Sequence, residues 1–356
     1  MIETGIEIAT QKVAQSRLPQ VDFNNTPFGK IYSDHMFISD FEDGQWKNNR
    51  IVPFGNLSLS PAVSGLHYGQ SIFEGLKAFQ SPDGESALIF RPEANAKRLQ
   101  ESAKRICMPE VPTELFMAGL HELIDLDRGW VPKNENAALY IRPFLFAMDE
   151  YIGLKPSEKY SFIIFTSPVG SYYSEPVKVK VEQHYTRAAK GGTGYAKVAG
   201  NYAASLYPAR LAQQEGYHQL LWTDSVNHKF IEESGTMNVL FVIDGKLVSI
   251  PDSDTVLPGI TRKSILDIAR SWGIEVEERQ LSIDEIVPAI KEGRLTEMFG
   301  AGTAATVAHI SLLHYDGVDY ELPPVATREI SNKLHAELTG LQRGLVEDKF
   351  NWVYKI

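Results

Sequence analysis

Cysteine is almost absent from this chain of 356 residues, because Cys107 is the only one. A single cysteine excludes an intrachain disulfide and any zinc or iron–sulfur site that needs several thiolates. We therefore expect a reducing compartment, of which the cytoplasm is the simplest. The sequence also lacks a basic segment followed by an apolar leader, and no apolar run approaches the length that spans a bilayer. We expect no membrane association.

Positive charge is in deficit, with 35 Lys and Arg against 45 Asp and Glu and a formal net charge of −10. The basic residues are dispersed, so the field of the protein repels polyanions and we expect no nucleic-acid partner. A small anion is not excluded, since one phosphate needs only one or two cations and a helix N-terminus. The hydrophobic content of 43% is that of a globular protein, and the length fits two domains.

A change of pattern near the middle of the chain predicts the domain boundary. Residues 160–167 form an apolar run typical of a buried strand, and a segment rich in Gly, Ser and Pro separates it from an alternating strand that begins at Val177. We predict a smaller N-terminal domain of residues 1–170, an interdomain loop of residues 171–181 and a larger C-terminal domain of residues 182–356.

Apolar periodicity and turn residues predict helices and strands in both halves, which makes the fold class α+β. The predicted elements of the N-terminal half are helices at Pro92–Arg105 and Thr113–Arg128 and a strand from Ala137 to Phe146. In the C-terminal half we predict a hairpin of residues 238–242 and 246–250 around Asp244-Gly245. We also predict a helix from Thr261 to Trp272 and a second helix that is opened by a Ser282/Glu285 capping box and ended by Gly293. At Pro208 we expect a helix to kink or to end early.

Lys197 lies in GGTGYAKVAGNYAAS, residues 191–205, where small residues surround one lysine. Burial or a neighbouring cation makes a lysine amine nucleophilic, and small neighbours let a flat cofactor ring approach it. A Schiff-base lysine is therefore the leading interpretation, with Tyr202 as a nearby polar group. The alternative is a solvated lysine in a glycine-rich loop, and this segment alone leaves the two about equal.

Three further segments have both a functional and a structural interpretation. Glu233 could hold a pyridine nitrogen protonated, although a surface glutamate at a strand end is commoner. The segment at 257–265 could present free helix N–H groups and the Thr261 hydroxyl to a phosphate, or could be an ordinary helix start. Arg98 could clamp a phosphate bidentately, whereas an outward-facing arginine is usual on such a helix.

The glycine-rich segment at 298–307 contains G-x-G-x-x-A at Gly300, Gly302 and Ala305. This pattern invites a dinucleotide interpretation, but the residues that follow are typical of a strand, so the strand–turn–helix context fails. We expect instead a turn of small residues in which backbone amides and the Thr303 hydroxyl approach an anion.

Taken in order, these segments resemble the branched-chain amino acid aminotransferases, which are pyridoxal-phosphate enzymes of fold type IV. The resemblance covers nearly the whole chain. It rests on eight collinear segments: FGKIYSDHMF, NLSLSP with LHYGQSIFEGLKAF, LYIRPF, SPVGSYYS, GGTGYAKVAGNYA, EESGTMNV, LPGITR and EMFGAGTAA. It implies a two-domain α+β fold, with a smaller N-terminal α/β domain and a larger C-terminal domain built on a largely antiparallel, barrel-like sheet.

The resemblance also implies the cofactor contacts. Lys197 would be the Schiff-base residue and general base, Glu233 would pair with the pyridinium nitrogen, and Tyr202 would bind the ring hydroxyl. The phosphate of pyridoxal 5′-phosphate would be held by Arg98, Ile260, Thr261 and Thr303.

For the substrate, the resemblance implies reversible transamination between leucine, isoleucine or valine and 2-oxoglutarate, giving branched 2-oxo acids and glutamate. Tyr68 and the amides of Thr303 and Ala304 would bind the α-carboxylate, and Arg142 the distal carboxylate of glutamate. The side-chain pocket would be walled by Tyr32, Phe73, Tyr140 and Tyr172. Family members are homodimers, so a homodimer is implied here as well.

Four alternatives define what the leading interpretation must exclude. D-amino-acid aminotransferases and aminodeoxychorismate lyases share the same lysine and phosphate logic, but lack segments like LHYGQSIFEG and LYIRPF. A nicotinamide dehydrogenase would need the Gly300 turn to open a helix. A nonenzymatic binding protein would need Lys197 to be chemically silent.

Overall fold

A computed structural model of the chain describes residues 5–170 and 175–356. These residues group into two compact units, and each includes a large β-sheet with flanking helices. Of the described residues, unit 1 takes 5–170, 196–200 and 340–356, and unit 2 takes 175–195 and 201–339.

The strands begin and end as follows. The first eight are β1 (Ala9–Thr10), β2 (His35–Glu42), β3 (Gln45–Pro53), β4 (Ser71–Phe73), β5 (Leu76–Gln80), β6 (Ala87–Phe90), β7 (Ala138–Ala147) and β8 (Tyr160–Val169). The remainder are β9 (Val177–Val181), β10 (Gln219–Thr223), β11 (Ile231–Ser234), β12 (Asn238–Ile243), β13 (Lys246–Ser249), β14 (Val276–Glu278), β15 (Leu295–Gly302), β16 (Thr306–Tyr315), β17 (Val318–Glu321) and β18 (Val353–Lys355).

The helices of the described chain are interspersed among these strands. They are α1 (Ser64–Tyr68), α2 (Pro92–Arg105), α3 (Thr113–Leu126), α4 (Ala199–Gln214), α5 (Ile260–Ser271), α6 (Ile283–Lys291) and α7 (Ile330–Gln342). Short 3₁₀ turns occur at Leu18–Gln20, Arg128–Trp130 and Val325–Thr327. Among the described helices, none has the length and hydropathy needed to cross a bilayer.

The sheet of unit 1 runs in the order β1-β3-β2-β8-β7-β5-β6-β18, with β4 beside β7. Its ladders are antiparallel except for the pairing of β1 with β3. Strands β7 and β8 are buried over most of their length, which explains their nearly continuous apolar sequences. Helix α3 packs on this sheet through Phe116, whose ring lies 5.9 Å from that of Phe162 on β8.

The sheet of unit 2 runs in the order β11-β10-β9-β16-β15-β12-β13-β14, with β17 beside β16. Most of its ladders are antiparallel, while β9 pairs in parallel with both β10 and β16. Strand β9 alternates buried valines with more exposed lysines, as its VKVKV sequence predicts. Its valines join an apolar core that includes Phe241 on β12 and Ile286 on α6.

Several predicted elements are confirmed, among them α2, α5, β7, β8 and the β12–β13 hairpin. Asp244 and Gly245 both have positive φ, 52° and 77°, which is what a two-residue hairpin of this kind requires. The capping box was wrong, because the Ser282 side chain makes no capping hydrogen bond and Glu285 instead binds Arg279 at 2.6 Å. Of the two alternatives predicted at Pro208, a kink or an early end, the early end was wrong, since α4 continues to Gln214.

Residues 175–181, which were predicted to lie in the interdomain loop, belong instead to unit 2, where Val177–Val181 form β9. Two further segments also differ from the sequence-based domain boundaries. Residues 196–200 belong to unit 1, where Val198 forms a bridge with Ile72 of β4. Residues 340–356 also belong there, because β18 pairs with β6. Neither segment has a local sequence pattern that predicts its contact with the first sheet, because strand pairing between residues distant in sequence depends on tertiary packing.

Candidate active site

Backbone contacts within unit 1 fix the position of Lys197. Its N–H donates to the Ser102 hydroxyl at 2.9 Å, and its carbonyl accepts the Phe73 N–H at 3.2 Å. Ser102, on α2, in turn donates to the carbonyl of Arg98 at 2.9 Å. The backbone of the lysine is therefore held between a strand and a helix.

The ring of Phe73 connects Lys197 to the arginine of the LYIRPF segment. Lys197 Nζ and the guanidinium carbon of Arg142 each lie 4.5 Å from the centre of this ring. Arg142 Nη2 also donates to the Tyr140 hydroxyl at 2.9 Å, whereas its buried Nε has no hydrogen-bond partner among the described residues. An amine and a cationic donor thus share one apolar surface.

The other predicted substrate aromatics lie in different surroundings. Tyr32 stacks on Phe54 with the ring centres 4.7 Å apart and meets Phe165 edge-on. Because Phe165 is the β8 partner of Arg142, this aromatic group adjoins the same part of the sheet. Tyr68 ends α1 and remains 43% exposed. Tyr172 lies outside the described residues.

Arg98 is the predicted phosphate ligand of unit 1, and its guanidinium faces inward as expected. It forms a bidentate pair with Glu74, since Nε and Nη2 each lie 2.7 Å from one carboxylate oxygen. Glu74 is fully buried and also accepts from Asn95 at 2.7 Å. This pair holds the arginine in a fixed orientation, and Glu74 was not foreseen from the sequence. The phosphate role of Arg98 stays a prediction.

Glu233 lies on β11 in unit 2 and is 3% exposed, so it is not a surface glutamate. Its Oε1 accepts the Leu257 N–H at 2.7 Å, and Asn238 Nδ2 lies 3.4 Å away. Its Oε2 lies 3.2 Å from Arg187 Nε. A buried carboxylate with these neighbours favours a positive charge beside it.

Arg187 is the functional candidate that sequence reasoning missed. Its Nη2 donates to the carbonyls of Gly194 and Thr255 at 3.0 and 2.5 Å. Its buried Nε lies within ion-pair distance of Glu233 but makes no aligned hydrogen bond. The available signal was its position ten residues before Lys197, just ahead of the run of small residues at 191–205.

A small, open cleft is lined by Arg187 and Glu233. The remaining residues that line it are small or polar, apart from one leucine: Asn201, Tyr202, Ser205, Gly235, Thr236 and Leu257. The structure therefore brings predicted Tyr202 and Glu233 together within unit 2. The sequence did not indicate the other lining residues.

The predicted anion-binding groups of unit 2 meet around Asn238. Ile260 and Thr261 open α5 directly after Gly259, and a Cβ at Gly259 would collide with the Asn238 Oδ1 atom. Asn238 pairs with Ala301 on β15, which is followed by Gly302 and then by the turn that contains Thr303 and Ala304. Free N–H groups at the start of α5 suit an anion.

As predicted, the glycine-rich turn is not followed by a helix. Strands β15 and β16 form an antiparallel hairpin in which Gly302 pairs with Thr306. Gly300 and Gly302 lie against the Met237 side chain, which a Cβ at Gly300 would strike. The dinucleotide interpretation is therefore excluded by the strand that follows the turn.

Comparison with known proteins gives a consistent result. The profile of the family described as "Amino-transferase class IV" matches residues 71–313. The chain is 47% identical over 336 residues to a probable branched-chain-amino-acid aminotransferase of Staphylococcus aureus (strain MRSA252), covering 93% of each. It is 42% identical over 349 residues to branched-chain-amino-acid aminotransferase 2 of Bacillus subtilis, covering 97% of this chain and 96% of the relative.

Among solved structures, the fold is similar to that of a branched-chain aminotransferase from Thermoproteus uzoniensis crystallised with norvaline. The TM-score is 0.75 at 25% identity, over 90% of this chain and 99% of the other.

Proposed function

The chain belongs to the class IV aminotransferase family, and from this we infer that it is a pyridoxal-phosphate-dependent branched-chain amino acid aminotransferase. It transfers the amino group of leucine, isoleucine or valine to a 2-oxo acid, in a reversible reaction. The observation that carries this conclusion is the Phe73 ring with Lys197 Nζ and the Arg142 guanidinium each 4.5 Å from its centre. This pairing joins an amine nucleophile to a carboxylate-binding group.

The residues around the unit 2 cleft suit pyridoxal phosphate. Glu233 is a buried carboxylate of the kind that a pyridinium nitrogen needs, and the buried Nε of Arg187 lacks an aligned acceptor. Tyr202 adds a hydroxyl to the cleft lining. An aromatic ring with one cationic nitrogen and one phenolic oxygen matches this set of donors and acceptors.

When bound, pyridoxal phosphate acts as an electron sink for the electrons left at the substrate's α-carbon. Glu233 would hold a proton on the ring nitrogen, and Tyr202 would donate to the ring hydroxyl. Lys197 would carry the cofactor covalently through Nζ and then, once freed by the substrate, take the α-proton as general base. The main-chain bonds to Ser102 and Phe73 would hold the lysine in place throughout.

The phosphate would be held by Arg98 together with Ile260, Thr261 and Thr303. Ile260 would contribute its backbone N–H at the start of α5, where the helix dipole favours a negative charge. Arg98 would contribute charge from a guanidinium already oriented by Glu74. Loss of either contribution should weaken cofactor retention more than the chemical step.

The substrate's α-carboxylate would bind Tyr68 and the amides of Thr303 and Ala304. The apolar side chain would pack against aromatic residues, and its burial favours the complex by about 1.5–3 kcal/mol. That is enough to prefer leucine over alanine. Besides Phe73, the proposed wall residues are Tyr32, Tyr140 and Tyr172.

The amino acceptor that we propose is 2-oxoglutarate, with glutamate as its product. A carboxylate entering an apolar pocket needs a partner there, and Arg142 supplies one. The Nε of Arg142 supports this assignment, since it is a buried donor that has no hydrogen-bond acceptor among the described residues.

We also propose a cytoplasmic homodimer. The exposed apolar side chains of Leu66, Ile152 and Leu154 support the dimer, with 65%, 71% and 87% of their surfaces accessible. They belong to one surface, because the Ser64 N–H at the start of α1 donates to the Asp149 carbonyl at 2.8 Å. Apolar clusters of this kind mark interfaces. Sedimentation of the purified protein beside a Leu154→Asp variant tests it.

A half-reaction screen tests the substrate assignment. Purified holoenzyme is mixed with single amino donors, and the cofactor's visible spectrum is followed. Leucine, isoleucine and valine should convert the cofactor while D-alanine does not. Turnover of D-alanine without L-leucine would point to a D-amino-acid aminotransferase.

A further inference from the structure

Glu232, the neighbour of Glu233, occupies a bulge in the sheet of unit 2. Across the β10–β11 ladder Trp222 pairs with Glu233 and Thr223 pairs with Ile231, so Glu232 has no residue opposite it. A bulge breaks the strict alternation of a strand and redirects a side chain. Two consecutive glutamates can therefore act on the same neighbour.

The Glu232 carboxyl is buried where its hydrogen-bonding capacity is only partly satisfied. The residue is 7% exposed, and its Oε2 has no hydrogen-bond partner among the described residues. The Thr255 hydroxyl donates a hydrogen bond to this carboxyl, which by itself lowers the pKa of Glu232. A buried carboxyl with one orphaned oxygen costs less free energy when it carries a proton than when it is ionised.

The charged groups that face this carboxyl are Arg187, Glu233 and Asp224. Burial raises the pKa of Glu232 to about 7; Arg187 opposes this rise, and the two other carboxylates add to it. Glu232 thus changes charge close to neutral pH, and its charged neighbours include the ion pair of Arg187 with Glu233.

Arg187 is the residue that links the two glutamates. Its Nε lies 3.2 Å from Glu233 Oε2, and its Nη2 is anchored on the carbonyl of Thr255, whose hydroxyl serves Glu232. The guanidinium therefore responds to both carboxyls from a fixed position.

We propose that Glu232 is a positioning residue for the transamination: acting through Arg187, its carboxyl sets how strongly Glu233 holds the proton on the cofactor's ring nitrogen. This inference rests on the proposed function. Glu232 is buried and has no other role in the proposed reaction.

The direction of the effect follows from charge. With Glu232 protonated, Arg187 and Glu233 sum to zero, and with Glu232 ionised the three groups carry one net negative charge. The added negative charge stabilises a protonated ring nitrogen, and it also offsets the positive charge of Arg187, which otherwise weakens the attraction of Glu233 for that proton. Both effects strengthen the electron sink as pH rises through about 7.

The test compares wild type with Glu232→Gln, Glu232→Asp and the control Glu182→Gln. Glu182 is another buried glutamate of unit 2, whose carboxylate accepts the N–H groups of His184 and Tyr185. Each holoenzyme is prepared with ring-¹⁵N pyridoxal phosphate, and the ¹⁵N chemical shift is titrated without substrate. The kcat for leucine is measured over the same pH range.

In wild type and in the control, the ¹⁵N shift should move toward the protonated value with a midpoint near pH 7. Glu232→Gln should lack this step, and Glu232→Asp should keep it at a displaced midpoint. The kcat of Glu232→Gln should fall about threefold to tenfold below wild type at about pH 8.5 while matching it at about pH 6.

An ¹⁵N midpoint unchanged in Glu232→Gln overturns the inference, as does a kcat lowered equally at every pH, which a purely structural role would produce. If Glu232→Gln does not retain the cofactor, Glu232→Asp decides, and an unshifted midpoint there overturns it. Absence of leucine transamination with the ¹⁵N step intact would defeat the proposed function alone.

Discussion

Lys197 and Phe73 are joined twice, because the Phe73 N–H donates to the Lys197 carbonyl at 3.2 Å while the lysine Nζ lies 4.5 Å from the centre of the phenylalanine ring. The first contact fixes the backbone and the second directs the side chain across an aromatic face. An aromatic face attracts a cation and excludes water on one side. The backbone of the lysine is thus placed by a contact that does not depend on its own amine.

Replacing Lys197 with alanine should abolish transamination and leave the fold intact. The backbone bonds to Ser102 and Phe73 do not use the side chain, whereas both covalent attachment and proton transfer do. We expect a loss of activity on the order of 10⁴-fold. Leucine-dependent glutamate formation measures it, circular dichroism checks the fold, and Lys190→Ala, at an exposed lysine of the same loop, is the matched control.

Replacing Glu233 with glutamine should spare cofactor binding and lower kcat. An amide keeps the shape and can still accept the Leu257 N–H, but it cannot supply the negative charge that balances a pyridinium nitrogen. We expect kcat to fall on the order of 100-fold. An unchanged kcat in stopped-flow half-reactions would remove Glu233 from the mechanism.

Arg142 should discriminate between the two classes of substrate. Removing one partner of a buried charged hydrogen bond costs about 2 kcal/mol or more, which is roughly 30-fold in KM. Arg142→Met should therefore raise the KM for 2-oxoglutarate by that factor and change the KM for leucine little. Tyr140→Phe, which removes only the hydroxyl that Arg142 Nη2 contacts, is the control. Equal effects on both substrates would contradict the assignment.

His309 should make the protein less stable in acid. Burial, together with the nearby Arg328 and His335, lowers its pKa from 6.5 to about 4. The unfolded chain therefore binds a proton at higher pH than the folded protein does, so stability is present above pH 6.5 and declines as pH falls toward 4.

The pH dependence of Tm measures this contribution. His309→Gln should show a flatter acid limb than wild type, with part of the slope remaining because burial also lowers the pKa of His335. Substitution of the exposed His184 with glutamine should not alter the slope. A slope in His309→Gln equal to that of wild type would rule out this source of acid sensitivity.

Gly259→Ala should loosen the cofactor site. The new Cβ would collide with Asn238 Oδ1, and Asn238 contacts Glu233 and the Leu257 carbonyl. Overpacking of this kind costs about 1–3 kcal/mol, so the Kd for pyridoxal phosphate should rise about tenfold. Gly55→Ala is the control, because a Cβ there meets nothing within 4 Å. Equilibrium dialysis compares the two variants.

Local signals in the sequence predicted much of the secondary structure. The β12–β13 hairpin followed from Asp244-Gly245, and α5 from apolar spacing ended by Gly273, because these features act over a few residues. The capping box failed because Glu285 found a stronger partner in Arg279. Intrinsic cap preferences yield where a charged pair competes.

Candidate site residues such as Lys197 and Glu233 were predicted from sequence motifs, and their roles stay predictions. Arg187, Glu74 and Glu232 were not, since their importance arises from burial and from neighbours far away in sequence. A pairing such as Arg98 with Glu74 depends on how α2 meets the strands, which no local pattern encodes. Ordinary charged residues become functional candidates only when the fold removes them from water.

Borohydride reduction of the holoenzyme, followed by peptide mapping, identifies the lysine that carries the cofactor. Reduction fixes the cofactor to the amine that carries it, and we expect a single labelled peptide with the modification on Lys197. A label on another lysine, or no label in a protein that turns over leucine, would contradict it.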